Sequence, residues 1–360
     1  MSKNFNVGLI GYGIAGQVFH ASTINCVEGF RLKKIRETKP ENIKLANKRY
    51  PEAEIVSNSE AIILDDTIDL VVIATPNSSH FSLAKQALNA GKNVVVDKPF
   101  TIYFEEAQEL IALARQKEKL LSVYQNRRFD STAKTVKKVI DSGMLGTLVE
   151  YEAHYDRFKN YFRPNAWREE DEPGSGIFYD LGAHLIDNAQ MLFGLPNEIT
   201  ADLRVQRPGG KTIDNFELIL NYPNLKVTLK GGMLVKEPGA AIALYGINGS
   251  FVKYGMDVQE DALRAGIMPN DIANWGVEPA SSWGKINTEH EGLHLVGNIE
   301  SETGDYREYY QNIYQVLAGK EDLIVKPEQS ANTIRIIELA IQSSLEKRTV
   351  KTDSTTGFFK

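Results

Sequence analysis

The first 124 residues alternate regularly between short apolar segments and helical patterns. The apolar segments have the length and the flanking turns of buried strands, and they lie at 6–10, 30–35, 55–56, 68–74, 93–96 and 120–124. Helical patterns follow most of them, at 17–22, 40–50, 80–90 and 103–117. Strands that are apolar throughout and are separated by helices are typical of a parallel sheet covered on both faces. The sequence therefore predicts a doubly wound α/β domain that covers residues 1–124.

The pattern changes after residue 124. A further helix at 131–142 is followed by alternating segments with turn signals, at 148–154, 198–206, 215–221, 226–234 and 241–251, the last with the hairpin turn Asn248–Gly249. Two more helical patterns lie at 178–192 and 328–346. We therefore expect residues 125–360 to form an α+β domain with a large, mainly antiparallel sheet.

Length and charge limit the classes of function. At 360 residues the chain is long enough for two domains. The 41 basic and 47 acidic residues give a net charge of −6, which argues against nucleic acid or an anionic membrane as a partner. A single cysteine, Cys26, and the lack of an apolar run long enough to span a bilayer favour a reducing, cytoplasmic setting.

A glycine-rich turn, Gly11-Tyr12-Gly13-Ile14-Ala15-Gly16, follows the first strand and opens a helix. In this context the first glycine allows a tight turn, Gly13 lets the backbone approach a pyrophosphate, and Gly16 lets helix and strand pack closely. The helix N-terminus, with Ile14 and Ala15 beside it, presents N–H groups to phosphate. The pattern predicts a site for NAD or NADP.

Two other segments are expected to line this site. Glu37 follows the second strand, where a carboxylate can accept hydrogen bonds from ribose hydroxyls and so favour NAD. Arg36 and Lys39 flank it and could neutralise the 2′-phosphate of NADP, so both cofactors stay open. Thr75-Pro76-Asn77 ends another strand at the edge where such sheets bind ligands.

Residues suited to hydride-transfer chemistry occur in two places. Oxidation of an alcohol needs a base, a cation that stabilises the developing oxyanion, and a group that orients the base. Lys98 ends a parallel strand on the same edge as the glycine turn. Asp180, His184 and Asp187 fall on one face of a single helix, so their side chains could act together. No spacing of ligands suggests a metal site.

These segments resemble, in the same order, those of the glucose-fructose oxidoreductase, inositol dehydrogenase and MocA-like family. The similar segments are 11–16, 74–80, 91–99, 126–128 and 180–187, with Asp97 where many members have glutamate. The resemblance implies that Lys98 is the catalytic lysine near the nicotinamide, that His184 is the general acid/base and that Asp180 supports both substrate and histidine. It also implies that the antiparallel sheet forms a homodimer or homotetramer.

The substrate class is predicted from the resemblance of three further segments. The segments 126–130, 154–158 and 167–169 look like those of the scyllo-inositol dehydrogenase branch, which suggests a small-molecule polyol such as a sugar or cyclitol. Arg127, Tyr155, Arg157 and Trp167, with Asp180 and His184, are the expected substrate contacts. A dihydrodiol or biliverdin-type reductase on the same scaffold, or a non-catalytic NAD(P) sensor, are the alternatives.

Overall fold

The computed structural model describes residues 4–164, 166–353 and 356–359. The chain forms two compact units. The first contains the residues up to 129 together with 258–275 and 305–331, and the second contains 130–257, 276–304 and the residues from 332 onward. Among the described residues no helix is long and apolar enough to cross a membrane.

The strands are β1 (Phe5–Ile10), β2 (Phe30–Arg36), β3 (Glu54–Val56), β4 (Leu70–Ile73), β5 (Asn93–Asp97), β6 (Leu121–Tyr124), β7 (Leu148–His154), β8 (Glu198–Arg204), β9 (Asn215–Asn221), β10 (Lys226–Gly232), β11 (Ile242–Gly246), β12 (Gly249–Lys253), β13 (Gly284–His290), β14 (Leu293–Ile299) and β15 (Val350–Lys351). The α-helices are α1 (Ser22–Ile24), α2 (Pro40–Arg49), α3 (Glu60–Ile63), α4 (His80–Asn89), α5 (Phe104–Gln116), α6 (Ser131–Asp141), α7 (Ala183–Phe193), α8 (Gln259–Arg264), α9 (Arg307–Leu317) and α10 (Pro327–Glu346). Short 3₁₀ turns lie at Asn77–Ser79, Asn126–Phe129, Trp167–Glu169 and Ala280–Ser282.

The first unit is built on a parallel sheet of six strands in the order β3-β2-β1-β4-β5-β6. The strand order reverses between β1 and β4, and ligands of such sheets bind outside the carboxyl ends of the strands at this point. The prediction of a doubly wound parallel sheet is therefore confirmed.

Two later segments of the chain also belong to this first unit. Tyr309 and Tyr310 of α9 are buried in the same hydrophobic core as Phe5 and Tyr124, and so is Trp275. The rings of Tyr124 and Tyr309 meet edge to face, with centroids 4.8 Å apart. The compact units therefore differ from the predicted continuous ranges 1–124 and 125–360, because aromatic side chains far along the sequence complete the core of the first unit.

The second unit contains a sheet of nine strands in the order β14-β13-β12-β11-β7-β10-β9-β8-β15. Neighbouring strands are antiparallel except β7 and β10, which are parallel, so the prediction of a mainly antiparallel sheet is confirmed. Sequence patterns did not predict β13 or β14. Nearly every residue of β14 is exposed, so the alternation of buried and exposed positions that identifies a strand is missing there.

Two helices begin differently from the prediction. The stretches Gly16–Ala21 and Phe178–Gly182 are π-helical before regular α-helix takes over. In both stretches a glycine packs tightly: a Cβ on Gly16 would overlap the carbonyl oxygen of Gly11, and one on Gly182 would meet the ring of Phe178 at 2.8 Å. π-helical turns are frequent at functional sites. Because Asp180 lies in such a turn, the ideal α-helical spacing that placed Asp180, His184 and Asp187 on one face does not hold there.

A buried ion pair stabilises the second unit. The side chain of Lys253 is 1% exposed, and its Nζ donates hydrogen bonds to Glu278 Oε2 and to the carbonyl oxygen of Ser282, both at 2.6 Å. The other carboxylate oxygen of Glu278 lies 2.7 Å from the hydroxyl of Ser131, at the start of α6. These contacts connect β12, α6 and the segment before β13.

We expect Lys253→Met to lower the free energy of unfolding by about 3–5 kcal/mol, because it leaves the Glu278 carboxylate buried without its cation. The matched control is Lys230→Met on β10, whose pair with Glu217 is exposed and contributes about 0–1 kcal/mol. Urea unfolding followed by circular dichroism compares the two variants. Equal losses in both would contradict a stabilising role for the buried pair.

Candidate active site

The carboxyl ends of four parallel strands lie side by side in the first unit. Ile10 of β1 pairs with Arg36 of β2 and with Ile73 of β4, and Ile73 pairs with Val96 of β5. The glycine turn, Glu37, Thr75 and Lys98 follow these strands directly. The sheet therefore brings the predicted cofactor-binding segments to one edge.

The glycine turn has the shape that a pyrophosphate requires. Gly11 has φ +98°, and a Cβ there would clash with the carbonyl oxygen of Ala74 at the end of β4. A Cβ on Gly13 would point into open space, so the backbone at this position can be approached closely. Ile14 is 57% exposed and Ala15 is half-buried. The residues present thus fit the phosphates of a dinucleotide.

The carboxylate of Glu37 accepts hydrogen bonds from neighbouring residues. Oε1 accepts hydrogen bonds from the N–H groups of Thr38 at 2.7 Å and Lys39 at 3.0 Å, and Oε2 accepts one from Asn42 at 2.9 Å. Burial raises the pKa of the Glu37 carboxyl, but these three donors and Arg36 outweigh it and hold the pKa below its usual range. The carboxylate is therefore held by the turn that precedes α2 and by Asn42 of that helix. The side chains of Thr38 and Lys39 are exposed.

The segment after β4 is fixed by a buried histidine. His80 is fully buried, with Nε2 3.0 Å from the carbonyl oxygen of Thr75 and Nδ1 2.9 Å from that of Pro99. Burial lowers the pKa of His80, and Asp97 and the backbone contacts of the ring oppose this effect only in part. His80 thereby connects the ends of β4 and β5. Pro76 is exposed and Asn77 is buried in the 3₁₀ turn between β4 and α4.

Lys98 is half-exposed, whereas its neighbours Asp97, Pro99 and Phe100 are buried. Its backbone N–H donates to Asp97 Oδ1 at 2.9 Å. Burial raises the pKa of Asp97, but His20 and the charge of Lys98 outweigh it and keep the pKa low, so the carboxylate is ionised. The lysine side chain is thus presented by a loop whose backbone is fixed by buried groups.

Arg127 is occupied by contacts inside the first unit. Its guanidinium pairs with Glu260 of α8 and donates to the hydroxyl of Tyr306 at 3.1 Å. Burial raises the pKa of Glu260, but the charges of Arg127 and Arg264 outweigh it and hold the pKa below its usual range. These contacts give Arg127 a structural role, and its contact with substrate stays a prediction.

The predicted groups of the second unit form two contacts near the start of α7. The ring of buried His184 meets the ring of Tyr155, with centroids 6.4 Å apart. Four residues before the histidine, Asp180 Oδ1 lies 3.4 Å from Arg168 Nε. The guanidinium of Arg168 stacks over the ring of Trp167 at 4.5 Å. Tyr155 therefore lies against the predicted general base, and Asp180, four residues before it in the chain, contacts Arg168.

Backbone hydrogen bonds hold the segment after β7, and the buried Arg207 holds the polar stretch that follows it. The N–H groups of Tyr155 and Arg157 donate to the carbonyl oxygens of Lys230 and Gly232, both at 2.9 Å, which extends β7 along β10. Arg207 pairs with Glu169 at 2.7 Å and also donates to the carbonyl oxygen of Tyr161. The polar stretch 160–175, of which Asn165 lies outside the described residues, is thus tied to the loop after β8.

Sequence reasoning missed His20 and Tyr310, whose side chains contact each other beside Asp97. The two residues are 290 positions apart, so no local spacing could have indicated the contact. The only available signal was a histidine in an otherwise apolar stretch directly after the glycine turn.

Comparison with known proteins agrees with this geometry. Residues 5–125 match the family profile described as an oxidoreductase family with an NAD-binding Rossmann fold. Residues 137–352 match the companion profile for the C-terminal alpha/beta domain of the same family, Gfo/Idh/MocA.

Individual relatives cover almost the whole chain. The scyllo-inositol 2-dehydrogenase (NADP(+)) IolW of Bacillus subtilis is 39% identical over 96% of this chain and 95% of its own length. The oxidoreductase YdgJ of Escherichia coli is 42% identical over 97% and 99%. The solved structure of the oxidoreductase YvaA of Bacillus subtilis superposes with a TM-score of 0.93 at 37% identity, covering 98% of this chain and 99% of that one. With both domains matched in order, the chain belongs to the Gfo/Idh/MocA family of NAD(P)-dependent oxidoreductases, enzymes that act on CH–OH groups.

Proposed function

We propose that this oxidoreductase interconverts a secondary alcohol and a ketone on a sugar or cyclitol of the inositol type. The observation that carries the proposal is a pair of contacts near the start of α7: the ring of Tyr155 against His184, and the Asp180–Arg168 pair with the ring of Trp167. A polyol needs hydrogen-bond donors and acceptors for its hydroxyls and a flat apolar surface for its ring face. The similarity to IolW, a scyllo-inositol 2-dehydrogenase, supports the same substrate class.

Each residue has a defined task in this proposal. Oxidation breaks the C–H and O–H bonds of the carbinol and forms a C=O bond; a bound nicotinamide dinucleotide supplies the acceptor for the hydride. His184 accepts the hydroxyl proton, and Asp180 orients the imidazole and the substrate. The ammonium of Lys98 stabilises the negative charge that develops on the oxygen. In the reverse direction His184 returns the proton to the new hydroxyl.

We expect Lys98→Ala to lower kcat about 10²–10³-fold, because it removes the cation that stabilises the oxygen. The dissociation constant for the dinucleotide should stay close to that of the wild type. The measurement is absorbance of reduced nicotinamide during turnover of scyllo-inositol and a panel of aldoses and sugar acids. Lys85→Ala, which removes an exposed lysine of α4, is the control and should be fully active.

A fully active Lys98→Ala variant would refute the role of this lysine. Dinucleotide binding without turnover of any polyol by the wild type would instead favour another carbonyl substrate, such as a dihydrodiol or biliverdin type, or an NAD(P) sensor.

We also infer that the preferred cofactor is NADP. The Glu37 carboxylate already accepts hydrogen bonds from Thr38, Lys39 and Asn42, so a ribose 2′-hydroxyl would compete with donors that are in place. The exposed side chains of Thr38 and Lys39 offer a hydroxyl and a cation suited to a 2′-phosphate. IolW, whose name specifies NADP(+), gives the same indication.

We expect Lys39→Gln to weaken binding of NADP⁺ about tenfold, the loss of one charge-assisted hydrogen bond, and to leave NAD⁺ binding unchanged. Isothermal titration with NADP⁺, NAD⁺, 2′,5′-ADP and ADP measures the effect. Lys44→Gln, on an exposed position of α2, is the matched control. Wild-type protein that binds ADP as tightly as 2′,5′-ADP would overturn the inference.

The proposed assembly is a homodimer or homotetramer that uses the nine-stranded sheet. Its edge strand β14 exposes Leu293 by 62% and Val296 by 56%. A long, apolar edge strand is a template for pairing with another chain, and proteins seldom leave one open to water. Packing of a second copy against this strand would cover apolar side chains that are exposed in one chain.

We expect Val296→Lys to shift the protein towards a smaller assembly, because it places a charge in the apolar contact. Light scattering coupled to size exclusion measures the mass. Leu64→Lys, which alters an exposed leucine of the first unit, is the control and should leave the mass unchanged. A wild-type protein that is monomeric at all accessible concentrations would contradict the proposal.

A further inference from the structure

We propose that Asn42 determines the preference between NADP and NAD, and that Gln17 orients it for this task. The side chain of Asn42 holds the carboxylate of Glu37 against α2 and so disfavours the ribose of NAD, which carries no 2′-phosphate. The inference deepens the proposed preference for NADP and rests on it. All three residues belong to the first unit of the fold.

A chain of hydrogen bonds joins the glycine turn to the turn after β2. Gln17, in the π-helical stretch that follows the glycine turn, donates from Nε2 to the carbonyl oxygen of Tyr12 at 2.8 Å and to Asn42 Oδ1 at 2.9 Å. Asn42, in the first turn of α2, donates from Nδ2 to Glu37 Oε2 at 2.9 Å. The chain therefore connects the segment expected to bind the pyrophosphate with the segment expected to meet the adenosine ribose.

The two ends of this chain fix the direction of each hydrogen bond in it. The carbonyl oxygen of Tyr12 can only accept, so Gln17 turns its amide nitrogen towards it. The second N–H of that nitrogen donates to the oxygen of Asn42, which leaves the nitrogen of Asn42 to face Glu37. Burial raises the pKa of the Glu37 carboxyl, but the donors around it outweigh this effect and hold the pKa below its usual range. Gln17 thus sets which side of the Asn42 amide meets an ionised carboxylate.

Asn42 controls the carboxylate oxygen of Glu37 that could otherwise bind ribose. Oε1 accepts from the backbone N–H groups of Thr38 and Lys39, which fill both of its acceptor positions. Oε2 has two acceptor positions, and Asn42 fills one of them. Glu37 is only 7% exposed, so a ligand reaches little of the carboxylate while Oε2 is directed at α2. To accept fully from a ribose 2′-hydroxyl, Oε2 has to turn away from Asn42.

The same contact favours the 2′-phosphate of NADP. A carboxylate turned towards this phosphate would repel it, because both groups are negatively charged. Thr38 and Lys39 follow Glu37 directly, and their exposed side chains offer a hydroxyl and a cation. Discrimination between two ligands is achieved by penalising one as well as by binding the other. Asn42 supplies the penalty against NAD, and Thr38 and Lys39 supply the attraction for NADP.

Substitutions at four positions test the proposal. Asn42→Leu removes the donor to Oε2 at a similar side-chain size. Gln17→Met keeps the length of the side chain but removes the group that orients Asn42. Asn47→Leu changes an exposed asparagine of the same helix and is the matched control. Glu37→Ala is made alone and together with Asn42→Leu, to test whether Asn42 acts through the carboxylate.

The readout is binding and needs no turnover. Isothermal titration gives the dissociation constants of NADP⁺ and NAD⁺, and those of the fragments 2′,5′-ADP and 5′-AMP, which differ only in the 2′-phosphate. The measured quantity is the ratio of the two constants within each pair. General damage to the glycine turn weakens both members of a pair and leaves the ratio unchanged, and the melting temperature reports on the fold.

In Asn42→Leu we expect the dissociation constant of NAD⁺ to fall about tenfold relative to that of NADP⁺, the effect of one hydrogen bond to a charged group. 5′-AMP should gain by a similar factor relative to 2′,5′-ADP. Gln17→Met should shift both ratios in the same direction by a smaller factor, because the amide of Asn42 loses only its orientation. Asn47→Leu should behave like the wild type. In the Glu37→Ala background, Asn42→Leu should change neither ratio.

An unchanged or opposite ratio in Asn42→Leu would disprove the proposal, as would a shift of the same size with and without the Glu37 carboxylate. If Asn42→Leu fails to fold, Gln17→Met decides by the same criteria. Wild-type protein that binds 5′-AMP as tightly as 2′,5′-ADP counts against the proposed preference for NADP alone. In that case the shift caused by Asn42→Leu still decides whether Asn42 opposes the binding of NAD.

Discussion

The glycine turn closely approaches the end of β4. The shape of the sheet edge at which a dinucleotide is expected to bind depends on this contact. Gly11 and Gly16 have no room for a side chain, because Ala74 and the carbonyl oxygen of Gly11 occupy the space. This packing places the first turn beside the point where the strand order reverses. The segments after β2, β4 and β5 then reach the same edge because the register of the parallel strands is aligned.

Buried charges in both units are compensated by specific partners. Arg127 pairs with Glu260, Lys253 with Glu278, and Arg207 with Asp214. A buried ion without a partner costs several kcal/mol, so each of these pairs fixes the elements that carry it. The burial of a charged side chain also distinguishes residues that stabilise the fold from residues that can reach a ligand. The guanidinium of Arg127 is held by Glu260, whereas the side chain of Lys98 is half-exposed.

The comparison of Glu37 with His184 shows where sequence patterns stop being informative. A carboxylate after β2 is the usual sign of ribose binding, and Glu37 directly follows β2 in the structure. Its hydrogen bonds to Thr38, Lys39 and Asn42 depend on how the turn folds back, which spacing does not encode. His184 and Tyr155 lie on α7 and directly after β7, 29 residues apart, and their rings meet through the packing of that unit.

The sequence by itself determined the two sheets, the order of most strands and helices, and the segments that carry the glycine turn, Lys98 and His184. It could do so because periodicity and turn residues are local properties of the chain. Only the tertiary structure decided that α8 and α9 join the first unit, that the helices after Gly11 and before His184 start as π-helical turns, and that Tyr310 contacts His20. These features depend on side chains brought together from distant positions, where close packing and compensation of buried charge select the arrangement.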